Sequence, residues 1–117
     1  MGFLGQTDAE ANAYFQGIDS RQKIADYARR GILMPLYLMT PRFGGEETME
    51  NAVFVPPEAV WIKERYDDVL ENLLQEGKIN NYSCEQEYKG DSFVPSKILV
   101  QAFKDGVQVF CQTINVW

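Results

Sequence analysis

The 117-residue sequence predicts an α+β fold on three observations. Residues 97–117 read as one β-hairpin: two apolar runs flank Asp105-Gly106, the dipeptide that a type I′ turn requires because both central residues take positive φ. Residues 57–76 carry apolar side chains at helical spacing over about five turns, far longer than any strand-like run in the chain. The remaining strand-like segments come in groups instead of alternating with helices, which argues against βαβ units. The expected architecture is an antiparallel sheet of about five strands with helices packed mainly on one face, in the order ααββαβββ. At this length the chain is expected to form a single domain over residues 1–117.

The elements follow in order. Thr7 and Glu10 have the spacing of a capping box, so a short helix is expected after Thr7, ending at Gly17. Asp19 is expected to cap a second helix over residues 20–30. That helix has Ile24, Tyr27 and Ala28 as its apolar stripe and Arg29-Arg30 in the last turn, where the helix dipole favours cations. Ile32 to Thr40 reads as a strand, with Pro35 restricting it to an edge or a bend. Pro41 to Met49 is loop-like, and Ala52 to Val55 is a second short strand, halted by Pro56-Pro57. The two strands are expected to pair as a hairpin with a long loop.

Pro57 suits the first position of the long helix, and Gly77 its end. Ile62, Tyr66, Val69, Leu70, Leu73 and Leu74 form its expected buried stripe. Lys63, Glu64, Asp67, Asp68 and Glu71 form its expected solvated face. Ile79 to Tyr88 alternates, with Tyr82, Cys84 and Tyr88 on one side and Ser83, Glu85 and Glu87 on the other. In the closing hairpin a two-residue turn pairs Lys104 with Val107. Continued without interruption, that register pairs Ala102 with Val109, Val100 with Cys111 and Ile98 with Thr113. Leu99, Phe103, Phe110 and Ile114 then share the opposite face, each worth roughly 1.5–3 kcal/mol if buried.

Composition narrows the chemistry. Eleven basic against 17 acidic residues give a net charge of −6, which argues against nucleic acid as partner because phosphate binding needs a basic stripe. The longest apolar run, Ile32 to Met39, is eight residues, too short for a membrane-spanning helix. No targeting signal is read in the sequence. Two cysteines and no metal-ligand spacing suggest a reducing compartment, and the expected location is cytoplasmic. Both cysteines are expected to be buried in the sheet.

Histidine is absent. The Ser-His-Asp and Cys-His constellations go with it, as does the commonest metal ligand. Gly44-Gly45 lacks the Gly-Lys-Ser/Thr ending of a phosphate loop, and Glu46-Glu47 would repel phosphate. No metal site and no cofactor is expected.

What remains is binding. Met34, Tyr37 and Met39 near the first strand are candidates to line a pocket with Trp61, Tyr66, Tyr82 and Tyr88. Beside the acids Glu85 and Glu87, such aromatic faces would suit an organic cation. Leu99, Phe103, Phe110 and Ile114 are interface candidates, because a hairpin apolar on both faces needs cover on the second. The sequence is therefore expected to encode a small acidic binding or interaction protein rather than an enzyme. A homodimer is the expected state, with a small molecule or a basic protein as further partner. The competing reading is a histidine-free enzyme with carboxylate and tyrosine acid–base chemistry between the long helix and the sheet.

Overall fold

The computed structural model of the chain describes residues 13–117. The capping box at Thr7 and Glu10 lies outside them. The elements are α1, helical over residues 13–16, then α2 (Arg21–Arg29), β1 (Met34–Tyr37), β2 (Ala52–Val55), α3 (Pro57–Gln75), β3 (Asn81–Glu87), β4 (Lys97–Lys104) and β5 (Val107–Asn115). The α+β class and the order of elements match expectation. One five-stranded sheet does not form. β1 and β2 make a two-stranded antiparallel sheet, and β3-β4-β5 a three-stranded one. Pro35 removes a ladder donor from β1, and the prolines at 56 and 57 stop β2 after four residues, so neither strand is built to extend the larger sheet.

The two sheets and α3 nevertheless share one core. Leu36 of β1, Val53 and Val55 of β2, Leu70 of α3, and Ile98, Val100, Ala102 and Ile114 of the larger sheet pack together. A second cluster, Phe15, Ile18, Ile24, Leu33 and Val94, joins α1 and α2 to the segment before β4. Trp117 closes it by stacking on Phe15 at 5.4 Å and donating its indole N–H to the Val94 carbonyl at 3.0 Å.

Ser20, not Asp19, caps α2: its hydroxyl accepts from the Lys23 amide at 3.2 Å. Asp19 accepts from the Lys23 ammonium instead. Arg29 and Arg30 both reach back to Asp26, at 2.6 and 3.1 Å, closing the helix end as expected.

Two corrections matter for function. The first concerns α3. Its fully buried residues are Ala59, Lys63, Asp67 and Leu70; of the expected stripe, Leu70 is buried, and Ile62, Tyr66 and Leu73 are partly buried against the core. Lys63 and Asp67 form an ion pair at 3.0 and 3.1 Å with 3% and 4% of their surface exposed, although they were expected on the solvated face. Val69 and Leu74, expected inside, are each 45% exposed. The helix is thus rolled so that one flank of its apolar stripe, Ile62, Tyr66, Val69 and Leu73, lies at the margin of the core. The roll is tolerated because the two charges bury as a pair, each neutralising the other.

The second correction is the register of the closing hairpin. Asp105 and Gly106 take φ of 50° and 84°, as the turn requires, and Lys104 pairs with Val107. Phe103 pairs with Gln108, but Ala102 pairs with Phe110, so Val109 is the extra residue of a β-bulge. Every later pair moves by one: Gln101 with Cys111, Val100 with Gln112, Leu99 with Thr113, Ile98 with Ile114. Because side chains alternate with period two, the slip sends Phe110 and Ile114 to the core face and Cys111 to the outer one.

Candidate functional site

The bulge divides the four expected interface residues. Phe110 and Ile114 pack into the core, whereas Leu99 and Phe103 remain half-buried on the outer face. There they share the surface with Ser83, Glu85, Glu87 and Gln101 and with exposed Cys111 and Thr113. The continuous apolar face expected for the hairpin is absent, because the bulge moves half of it inward.

The aromatic candidates are likewise dispersed. Tyr66 packs edge-on to Phe110 at 5.7 Å, and Tyr82 edge-on to Phe43 at 5.6 Å. Trp61 is 56% exposed on the far side of α3. Tyr88 lies just beyond β3, half exposed. Glu85 and Glu87 point away from all of these, opposite Leu99 and Lys97. Met39 has its backbone held by Asn51, whose side chain accepts from the Met39 amide at 2.9 Å and donates to its carbonyl at 2.8 Å. No single cage gathers these side chains.

Two concavities are lined by described residues. The smaller, about 350 Å³, lies between β1, the 3-10 turn at Pro41–Phe43 and α3. Met34, Tyr37, Thr40 and Arg42 border it, and the buried Lys63–Asp67 pair forms part of its wall. This is where carboxylate and tyrosine chemistry would be sought, and several of its groups are already engaged. Both Asp67 oxygens accept from Lys63, whose ammonium also sits 5.4 Å from the centre of the Tyr82 ring. The Tyr82 hydroxyl donates to the Leu38 carbonyl at 3.0 Å, and burial raises its pKa far above the ordinary phenol value. Burial also pushes up the Cys84 thiol. Arg42 at the rim is paired with Asp68 and, at 3.5 Å, with Glu71. These interactions lock Lys63, Asp67, Tyr82 and Arg42 in place, whereas Tyr37 and Glu64, which also line the concavity, form no side-chain hydrogen bond or ion pair among the described residues.

The larger concavity, about 720 Å³, is an open groove between α2, β2 and the connection at residues 88–93. Arg21, Ile24 and Ala25 reach it from α2, because positions i, i+3 and i+4 fall on one helical face. Ala52, Val53 and Phe54 form its floor, and Met49 and Glu50 stand on the 3-10 turn before β2. Tyr88 and Phe93 form the opposite wall. The Phe93 amide donates to the Ile18 carbonyl at 2.8 Å, fixing that wall against the end of α1. Met49, Tyr88 and Phe93 are 70%, 49% and 44% exposed, so three large apolar side chains stand in water around one groove. Arg21 and Glu50 form no ion pair among the described residues, which leaves a cation and an anion unengaged in its lining.

Only Tyr88 of this groove was among the sequence candidates. Arg21 and Ile24, Met49 and Phe54, and Phe93 come from three segments far apart in sequence, and no local periodicity links one segment to another. Among the described residues no three His, Cys, Asp or Glu side chains are placed to hold a metal ion, and no helix is long and apolar enough to cross a membrane. No protein-family model matches the chain, and no curated protein or solved structure shows significant similarity to it.

Proposed function

We propose that this protein is a non-catalytic binding protein, working as a homodimer, whose groove between α2, β2 and residues 88–93 receives a small ligand with an aromatic body and a polar end. The observation that carries this reading is the convergence of exposed Met49, Tyr88 and Phe93 around an open groove whose lining includes Arg21, which forms no ion pair among the described residues. Its volume falls in the range of small-molecule sites, roughly 300–1,000 Å³, and its lining of apolar walls with a few charges is the usual one. The ring would lie between Phe54 and Phe93. An anionic substituent would meet Arg21, and a cationic one Glu50.

An aromatic sulfonate such as 8-anilinonaphthalene-1-sulfonate carries both features and reports its own burial by fluorescence. Saturable one-site binding is expected. Phe93→Ala should weaken it about tenfold, as expected from losing roughly 1.5 kcal/mol or more of apolar contact. Arg21→Ala should weaken it as well, and Trp61→Ala, on the far side of α3, should leave it unchanged. Binding that ignores Phe93→Ala, or no saturable binding at all, would exclude the groove as the site.

A further inference from the structure

The last eleven residues, Val107 to Trp117, contain no charged side chain, although 24% of the whole chain is charged. Nine of them form β5, an outer strand of the three-stranded sheet. A strand edge exposes a row of unpaired N–H and C=O groups, and proteins ordinarily guard such edges with charge, proline or shortness. Among the described residues the other strand edges are guarded. β3 carries Glu85 and Glu87, β1 carries Pro35, and β2 ends after four residues against Pro56-Pro57. β5 has no proline, no charge and no such brevity, and among the described residues no strand pairs with its outer side. Its one irregularity, the bulge at Val109, lies near the turn, and the pairing of Phe110–Asn115 with β4 is regular.

A second observation lies beside it. The flank of α3 at the margin of the core, with Ile62, Tyr66 and Leu73 partly buried and Val69 exposed, recurs at spacings of four, three and four, and so forms one narrow stripe. Tyr66 touches Phe110 of β5, which places this stripe over β5. Val69 on it is 45% exposed. An uncharged strand edge and an apolar helix flank thus form one continuous surface.

We infer that this surface joins two copies of the chain: the free edge of β5 pairs antiparallel with β5 of a second copy, and the two α3 flanks close over the joint. The partner is a second copy because the surface suits itself. Two uncharged edges meet without like charges opposed, whereas two β3 edges would bring glutamates together. A two-fold axis perpendicular to the extended sheet puts both α3 helices on the same face, each with its stripe toward the other. The inference locates the homodimer of the proposed function and is independent of the ligand groove.

Sedimentation equilibrium of the full chain in the micromolar range should give twice the 13.4 kDa chain mass. Val69→Glu, at a half-exposed helical position, should keep the helical circular dichroism and weaken the dimer by at least about a hundredfold, because a charge would be buried unpaired. Trp61→Glu should leave it intact. Cys111 is exposed on β5 and Cys84 is shielded, so a nitroxide can be attached selectively to Cys111 of the unmodified sequence. With strands about 4.8 Å apart and an offset of at most about six residues at about 3.4 Å each, its distance to the same label in the second copy should fall within roughly 25 Å. A monomeric wild type, a dimer indifferent to Val69→Glu, or a label distance well beyond that limit would overturn the inference. Sulfonate binding should survive Val69→Glu, so failure of the dimer surface and failure of the groove are separately visible.

Discussion

Gly45 has no freedom to become anything else. A Cβ at this position would stand 1.7 Å from the Met39 carbonyl oxygen, the same oxygen that accepts from the Asn51 side chain. The close approach lets the Gly45 amide donate to the Thr40 carbonyl at 3.1 Å and folds the long β1–β2 connection onto itself. Gly45→Ala must push the backbone away and break the Asn51 clamp. A loss of about 2 kcal/mol in urea unfolding is expected, in the range typical of steric strain at a tight site. By contrast Gly31, whose φ is positive, meets nothing within 4 Å, so substitution there carries only the strain of its backbone conformation. The sequence places Gly44-Gly45 in a loop-like stretch, but the steric requirement at Gly45 depends on a carbonyl six residues away.

α3 shows how an element can satisfy its helical pattern and still turn a different face inward. The span from Pro57 and the stop near Gly77 are local properties, set by the proline at N1 and by a glycine with φ of 72°, and both were legible. The buried face was legible only in part: Ile62, Tyr66, Leu70 and Leu73 pack in or against the core, but hydrophobic periodicity treats Lys63 and Asp67 as two exposed charges. Placed one turn apart, they bury as a neutral pair beneath Tyr82. Removing one partner leaves the other charged and dry, so Asp67→Leu and Lys63→Met should each destabilise the fold by about 3–5 kcal/mol. The double replacement Lys63→Met/Asp67→Leu should recover most of that loss. Thermal unfolding of the three variants checks this, and a double variant as unstable as either single one would contradict the account. The hairpin gives the same lesson at strand scale. Asp105-Gly106 defined the turn, but nothing in Val107–Asn115 announces a bulge at Val109, and one extra residue exchanged the faces of Phe110 and Cys111.

For the molecule as a whole, shielding of acidic groups makes stability depend on alkaline pH. Cys84 and Tyr82 are held above their ordinary values of 9.0 and 10.0, in both cases chiefly by burial. The folded chain therefore keeps protons that the unfolded chain releases. The stabilisation from both groups is complete below about pH 9 and declines as pH rises through the unfolded-state values, first for the thiol and then for the phenol. Urea midpoints measured between pH 8 and about 11 should fall steadily, and Cys84→Ser should remove the earlier part of the decline. At the same scale the surface is uneven: acids guard the β3 edge, whereas β5 and the adjoining flank of α3 carry none. What the sequence by itself determined are properties of short range or of composition: the α+β class, the element order, the Asp105-Gly106 turn, the helix limits and the absence of histidine chemistry. The tertiary structure alone decided which faces meet, since the split into two sheets, the roll of α3, the slipped hairpin register and the groove beside Phe93 all depend on contacts between distant segments. A period of 2 or 3.6 places side chains relative to their own backbone, and only packing places that backbone relative to the rest of the chain.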